Sequence, residues 1–125
     1  MSDLVRNPRG RVAERISRVG EAQVCTTLIV AAELRYGATK RGSPRLARQL
    51  EALLGALDVL PFAAPADAVR GEIRTRLEQT GKPLCGNNLL IAAQAMALGH
   101  TVVTDNEAEF ARIDALLREN WLRPA

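Results

Sequence analysis

The chain alternates short strand-like segments with amphipathic helical segments, and this alternation constrains the fold more than any other feature. The predicted strands are residues 23–26, 58–62, 101–104 and 116–121. Apolar residues recur at helical spacing in residues 9–19, 27–40, 45–56, 65–79 and 89–98, and residues 107–110 predict a helical turn. Strands that alternate with helices indicate a mostly parallel sheet with helices on both faces. We therefore expect one three-layer α/β/α domain over residues 1–125, with a sheet of about four strands.

Side chains that can cap a helix mark several of the predicted helix starts. Thr26 or Thr27 is expected to cap the helix that runs to about residue 40. Ser43, which is followed by a proline, is expected to cap the next helix. Asn87 or Asn88 is expected to cap the very apolar helix over residues 89–98.

The segment Thr-Val-Val-Thr at residues 101–104 carries no charge and is rich in β-branched residues. Such a segment is typical of a strand that is buried on both faces of a parallel sheet. We therefore expect this strand near the centre of the sheet.

The composition and the motifs exclude several classes of protein. No apolar run approaches the roughly 20 residues that a membrane-spanning helix needs. The two cysteines, Cys25 and Cys85, form no C-x-x-C pair, and His100 is the only histidine, so a zinc site or a disulfide framework is not expected. This pattern favours reduced thiols in a cytoplasmic protein. The sequence also contains no Walker A, G-x-G-x-x-G or G-x-S-x-G motif.

Positive charge is concentrated in the first part of the chain. Residues 1–48 hold ten basic and four acidic residues, whereas residues 49–125 hold seven basic and ten acidic residues. Fifteen of the seventeen basic residues are arginine, and the guanidinium group is well suited to phosphate binding. The alternative is that a GC-rich coding sequence supplies arginine without a functional demand.

Three polar residues lie where an α/β sheet collects ligands, which is beyond the carboxyl ends of its strands. Asp105 directly follows the strand at residues 101–104, although aspartate is also common in turns and at helix caps. Glu33 lies in an apolar helical segment, where an ion pair with Arg35 or with another arginine would be the alternative to a functional role. Asn88 lies at the start of the most apolar predicted helix, and its side chain either caps this helix or faces the functional site.

Several stretches together make the sequence recognisable. It resembles the PIN-domain toxins of the VapC type in AAELRYGA at residues 31–38, GKPLCGNNLLIAA at residues 81–93 and VVTDN at residues 102–106. Further matching stretches are residues 2–6, 57–62, 73–78, 109–110 and 119–121. The resemblance covers nearly the whole chain and implies a PIN-like fold.

The resemblance also implies a function. Proteins of this family are Mg²⁺- or Mn²⁺-dependent endoribonucleases that cut structured RNA such as tRNA or rRNA. A cognate VapB-type antitoxin silences them, and they commonly form homodimers. Clustered carboxylates suit this chemistry, because hard divalent cations prefer oxygen ligands and can activate a water for attack on a phosphodiester.

Carrying the family's acidic ligands over to this chain leaves two gaps. Glu33 matches the second acid, and Asp105, with its polar neighbour Asn106, matches the fourth. Asn88 stands where the family has an aspartate. The first acid belongs to a Leu-Asp-Thr-Asn motif that would lie upstream of Met1, so the chain is expected to be truncated at its N-terminus and to lack the first strand, and Asp3 is a poor substitute. A late start, an inactivation at Asn88 and decay of the gene are three competing explanations.

Two functions from different classes follow. The first is an endoribonuclease toxin whose metal site is formed by Glu33, Asn88 and Asp105. The second is a catalytically inactive PIN remnant that binds an antitoxin or RNA and thus acts as an interaction protein.

Overall fold

The computed structural model describes residues 10–84 and 86–122, so residues 2–6 with Asp3, and also Cys85, lie outside the described residues. Within the described part of the chain, six α-helices span Arg11–Val19 (α1), Leu28–Arg41 (α2), Pro44–Ala56 (α3), Ala66–Gln79 (α4), Gly86–Leu98 (α5) and Glu107–Phe110 (α6). Four strands span Cys25–Thr27 (β1), Asp58–Leu60 (β2), Val102–Val103 (β3) and Arg118–Glu119 (β4). The predicted alternation of helices and strands is confirmed. The chain divides into two compact units, Met1–Pro61 and Phe62–Ala125.

The first unit is built around a parallel pair of strands. β1 pairs with β2 in a register that places Cys25 opposite Asp58 and Thr27 opposite Leu60. Two parallel strands need a crossover connection, and here α2 and α3 form it. The core of the unit lies between these helices and the strands, and it contains Ala31, Ala38, Leu50 and Leu54, with Leu34, Leu46, Leu53 and Val59 packed against it.

Side-chain caps stabilise the N-terminal ends of both α2 and α3. The Oγ1 atom of Thr27 accepts a hydrogen bond from the backbone N–H of Val30 at 3.1 Å, and Oγ of Ser43 accepts one from Leu46 at 3.2 Å. Between them, Gly42 ends α2 with a positive φ of 65°, a conformation that glycine adopts without the steric cost that a Cβ atom brings. These hydrogen bonds confirm the predicted caps at Thr27 and Ser43. Such caps can be read from the sequence because capping joins residues only three positions apart.

The second unit contains the other parallel pair. β3 pairs with β4, with Val102 opposite Arg118 and Val103 opposite Glu119. Helices α4 and α5 supply much of the apolar core, whose buried members are Ile73, Leu77, Leu84, Leu89, Ala92, Ala93, Val102, Phe110, Ile113 and Leu116. Phe110 belongs to the short helix α6, so the segment between β3 and β4 is anchored in the same core.

Two local predictions for this unit are wrong. Val102 is buried, but Val103 is 41 % exposed, so the strand is not buried on both faces. Successive side chains of a strand point to opposite faces, and only the side chain of Val102 belongs to the core. The helix that Asn87 or Asn88 was expected to cap begins at Gly86, so both asparagines lie inside its first turn, where backbone N–H groups have no intrahelical partner in any case.

The four strands within residues 10–84 and 86–122 form two parallel pairs, which confirms the predicted parallel arrangement. A pair of strands has no centre, so the central position of the segment at residues 101–104 stays a prediction. Among the described residues, no helix is both long enough and apolar enough to cross a membrane.

We expect the substitution Ser43→Ala to lower the free energy of unfolding by about 1 kcal/mol, because it leaves the N–H group of Leu46 without its cap. Ser17→Ala is the matched control, since Ser17 is exposed in the interior of α1, where alanine is a good helix former. Denaturant-induced unfolding measures both. Equal effects of the two substitutions would contradict the capping role of Ser43.

Candidate active site

The carboxyl ends of β3 and β4 bring polar residues from two distant parts of the chain to one edge. The ladder continues past the strands, because the N–H group of Thr104 donates to the carbonyl oxygen of Glu119 at 3.0 Å. Asp105 follows Thr104, and Asn120 follows Glu119. Parallel strands end at the same edge, so these two residues meet there.

The side-chain amide of Asn120 bridges two carboxylates at this edge. Its Nδ2 atom donates to Oδ1 of Asp105 at 3.0 Å and to Oε2 of Glu107 at 3.1 Å. Its Oδ1 atom accepts a hydrogen bond from the backbone N–H of Leu122 at 2.9 Å. Asp105 and Glu107 are therefore held close to one another by a single amide group.

Sequence reasoning predicted Asp105 at this edge but missed Asn120 and Glu107. The only signal for Asn120 was its place in the stretch at residues 119–121 that resembles the family. Glu107 stands two positions after Asp105, a spacing that carries no information until the turn between them is known.

The turn after β3 explains why the Asp105 side chain is available to Asn120. The N–H group of Asn106 donates to the hydroxyl oxygen of Thr104 at 3.0 Å, and the Asn106 amide donates to Glu109 at 2.7 Å. The turn that Asp105 was considered to stabilise is thus stabilised by Thr104, and the Asp105 carboxylate contacts the end of the neighbouring strand.

Asn88 lies in the first turn of α5 and is half-buried. The following residues Leu89, Ala92 and Ala93 are buried and fix this helix in the core of the second unit. A hydrogen bond also holds the loop that leads into α5, because the Arg112 guanidinium donates to the carbonyl oxygen of Pro83 at 2.6 Å. The position of Asn88 is therefore set by packing and by a hydrogen bond that precedes the helix.

Glu33 lies on α2 in the first unit and is exposed. Its expected alternative partner, Arg35, forms a two-pronged ion pair with Glu51 of α3, with Nε–Oε2 and Nη2–Oε1 distances of 3.0 and 2.9 Å. Hydrogen bonding to Arg35 lowers the pKa of the Glu51 carboxyl group. Arg35 thus ties α2 to α3 and does not neutralise Glu33. Glu33 and Asp105 belong to different units, so their convergence stays a prediction.

The donor chemistry at the strand edge suits a hard divalent cation, but the number of acids is small. Carboxylate oxygens, as in Asp105 and Glu107, are the ligands that Mg²⁺ and Mn²⁺ prefer. Within residues 10–84 and 86–122, however, no three acidic, histidine or cysteine side chains form a group that could hold a metal ion. The replacement of an expected aspartate by Asn88 is consistent with this shortage.

Cys25 does not have the properties of an activated nucleophile. Although the residue is exposed, partial burial of its thiol and, to a smaller extent, the carboxylate of Asp58 raise its pKa. Asp58 is the register partner of Cys25 in the β1–β2 pair. A raised pKa leaves less thiolate at neutral pH, and the thiolate is the reactive form.

Comparison with known proteins identifies the fold and the family. Residues 2–116 match the family model described as PIN domain. The chain is a member of the PIN-domain family. The VapC ribonucleases within that family are similar to it over most of their length.

Two curated relatives and one solved structure illustrate this similarity. Ribonuclease VapC2 of Rickettsia felis is 40 % identical over 99 residues, which are 78 % of this chain and 74 % of the relative. The tRNA(fMet)-specific endonuclease VapC of Shigella flexneri is 32 % identical over 118 residues, 94 % of this chain and 89 % of the relative. The crystal structure of VapBC2 from Rickettsia felis bound to a promoter DNA fragment contains a chain that superposes with a TM-score of 0.87 at 33 % identity, covering 96 % of this PIN-domain protein and 92 % of that chain.

We expect alkylation of Cys25 by iodoacetamide to reach half of its maximal rate at a higher pH than alkylation of a free cysteine, because the raised pKa delays thiolate formation. Asp58→Asn should move this midpoint part of the way down, since burial is the larger cause. The rate is measured by mass spectrometry in a Cys85→Ser background. A midpoint below that of a free thiol would show that Cys25 is activated.

Proposed function

We propose that this PIN-domain protein is the toxin of a type II toxin–antitoxin pair and acts as an endoribonuclease. The observation that carries the proposal is the PIN-domain match over residues 2–116, in a chain whose curated relatives are named ribonuclease or endonuclease. The carboxylates of Asp105 and Glu107 at the carboxyl end of β3 support it, because ligands of parallel α/β sheets bind at this edge.

Glu33, Asn88 and Asp105 are the proposed ligands of the metal ion, which would be Mg²⁺ or Mn²⁺. When bound, such an ion activates a water molecule and stabilises the phosphoryl oxygens of the bond that is cleaved. The role of Asp105, supported by Glu107, is to supply negatively charged oxygens at the strand edge. Asn88 supplies only a neutral amide oxygen, which attracts a cation less strongly than a carboxylate does.

The proposed substrate is a structured RNA of the tRNA or rRNA class. The Shigella flexneri relative is named as specific for tRNA(fMet), and the first unit offers positive charge for a phosphate backbone. Lys40, Arg41 and Arg45, at the junction of α2 and α3, are exposed. Such side chains bind the sugar–phosphate backbone without reading its sequence.

The proposed partner is a VapB-type antitoxin. Several structures with which the chain superposes are described as VapBC complexes, from Rickettsia felis, Salmonella typhimurium and Haemophilus influenzae. We also propose that the protein forms a homodimer and that it acts in the cytoplasm, where its RNA substrate is found.

A second candidate function is that of an interaction protein that binds an antitoxin or RNA without cleaving it. The observation that favours it is the neutral Asn88 at an aspartate position, together with the small number of clustered acids in the described residues. The two functions differ in one measurable property, which is metal-dependent cleavage.

We expect Asn88→Asp to tighten Mn²⁺ binding by about tenfold, because it adds a charged oxygen ligand at the start of α5. Isothermal titration calorimetry of the full chain measures the affinity. Asn87→Asp is the matched control, since it adds the same charge at the neighbouring, exposed position of the same helix turn. An equal increase in Mn²⁺ affinity in both variants would mean that the added negative charge attracts the cation only at long range. Position 88 would then not be a ligand.

We expect the unmodified chain to cleave tRNA or rRNA slowly, and Asn88→Asp to cleave about tenfold faster at limiting Mn²⁺, in line with its affinity. Both reactions should stop when EDTA is added. Gel analysis of RNA incubated with each protein measures the rates. Complete inactivity of both chains, with retained binding of an antitoxin, would support the second candidate function instead.

A further inference from the structure

We propose that Asn120 is a positioning residue of the candidate active site. Its side-chain amide holds the carboxylates of Asp105 and Glu107 together at the end of β3, so that Glu107 joins Asp105 as a second acid of the cation site. This inference rests on the proposed function, since it assigns a role within the same site.

The parallel register explains how Asn120 reaches this position. Val103 pairs with Glu119, and the next N–H group along β3 donates to the carbonyl oxygen of Glu119. The first residue after β4 therefore stands beside the turn that follows β3. A shift of the register by one residue would turn the side chain at position 120 to the opposite face.

The orientation of the amide is fixed by its other hydrogen bond. Oδ1 of Asn120 accepts from the N–H group of Leu122, so Nδ2 must face away from Leu122 and toward the carboxylates. The reverse orientation would place the amide oxygen against two acceptors and leave the Leu122 N–H facing a donor. Asn120 is half-buried, which limits the ability of water to take over these hydrogen bonds.

The bridge has an electrostatic consequence. Two carboxylates at one strand edge repel each other, and an N–H donor that contacts both of them offsets part of this repulsion. An N–H donor between Asp105 and Glu107 thus keeps two negative groups adjacent without a cation. A partner that orients metal-binding carboxylates typically changes metal affinity by tenfold or more when it is removed.

The isosteric substitution Asn120→Asp tests the Nδ2 donor alone, because it keeps the shape of the side chain. It keeps an oxygen that can accept from Leu122, but it replaces the bridging NH₂ group with an oxygen. The side chain then becomes a third carboxylate beside Asp105 and Glu107. We expect a lower melting temperature than that of the unmodified chain in EDTA, and a larger rise on addition of Mn²⁺. An Asn120→Asp chain that matches the unmodified chain under both conditions would overturn the proposal, because Asn120 would then only stabilise the turn at Leu122.

The substitution Asn120→Ala removes the bridge without adding charge. We expect Mn²⁺ binding, followed by the electron paramagnetic resonance signal of free Mn²⁺, to weaken roughly tenfold. Gln79→Ala is the matched control, since it removes an exposed amide at the end of α4 in the same unit. Unchanged Mn²⁺ affinity in a folded Asn120→Ala chain would also overturn the proposal.

A measurement without metal keeps this inference distinct from the proposed function. In EDTA, the side-chain NH₂ resonances of Asn120 should shift in Asp105→Asn and also in Glu107→Gln, since each carboxylate accepts from this group. If no chain binds Mn²⁺ but both shifts occur, the metal site of the proposed function fails while the bridge stands. If Mn²⁺ binds but the Asn120 resonances do not shift in Glu107→Gln, Asn120 does not bridge the two carboxylates and the proposal is overturned.

Discussion

Parallel pairing of short strands is the constraint on which the candidate site depends. A parallel ladder brings the carboxyl ends of its strands to the same edge, whatever the length of chain that connects them. In the second unit, the hydrogen bond from Thr104 to Glu119 extends this ladder beyond β3 and β4. The side chains that follow are then side by side, although fifteen positions separate Asp105 from Asn120. The strands contribute few residues to the core, but they determine which polar groups meet.

The two helix caps that were predicted correctly depend on interactions between near neighbours in the sequence. Thr27 and Ser43 cap helices because each hydroxyl needs only the N–H group three residues later, and that spacing can be read directly. The predicted burial of Val103 failed because it depends on distant partners. Val103 has the residue type of a buried strand, but its exposure is determined by what packs against that face of the sheet.

The candidate site shows the same division. The position of Asp105 after a strand was visible in the sequence, and it was enough to place the residue at the edge of the sheet. Asn120 could be found only once the register of β3 and β4 was known, since nothing in an isolated asparagine indicates which carboxylate it will contact. For Glu33, helix α2 gives the local environment, with Arg35 directed to Glu51, while its relation to the second unit remains a proposal.

The hydrogen bond between Arg112 and Pro83 has a consequence for how this protein tolerates sequence change. Arg112 is exposed, and exposure alone would classify it as a position that is free to vary. Its guanidinium nevertheless supports the carbonyl of a residue 29 positions away, just before the helix that carries Asn88. A neutral residue at position 112 would leave that carbonyl to water and would loosen the entry into α5. A substitution at position 112 is therefore expected to affect the backbone that precedes α5, although the side chain lies at the surface.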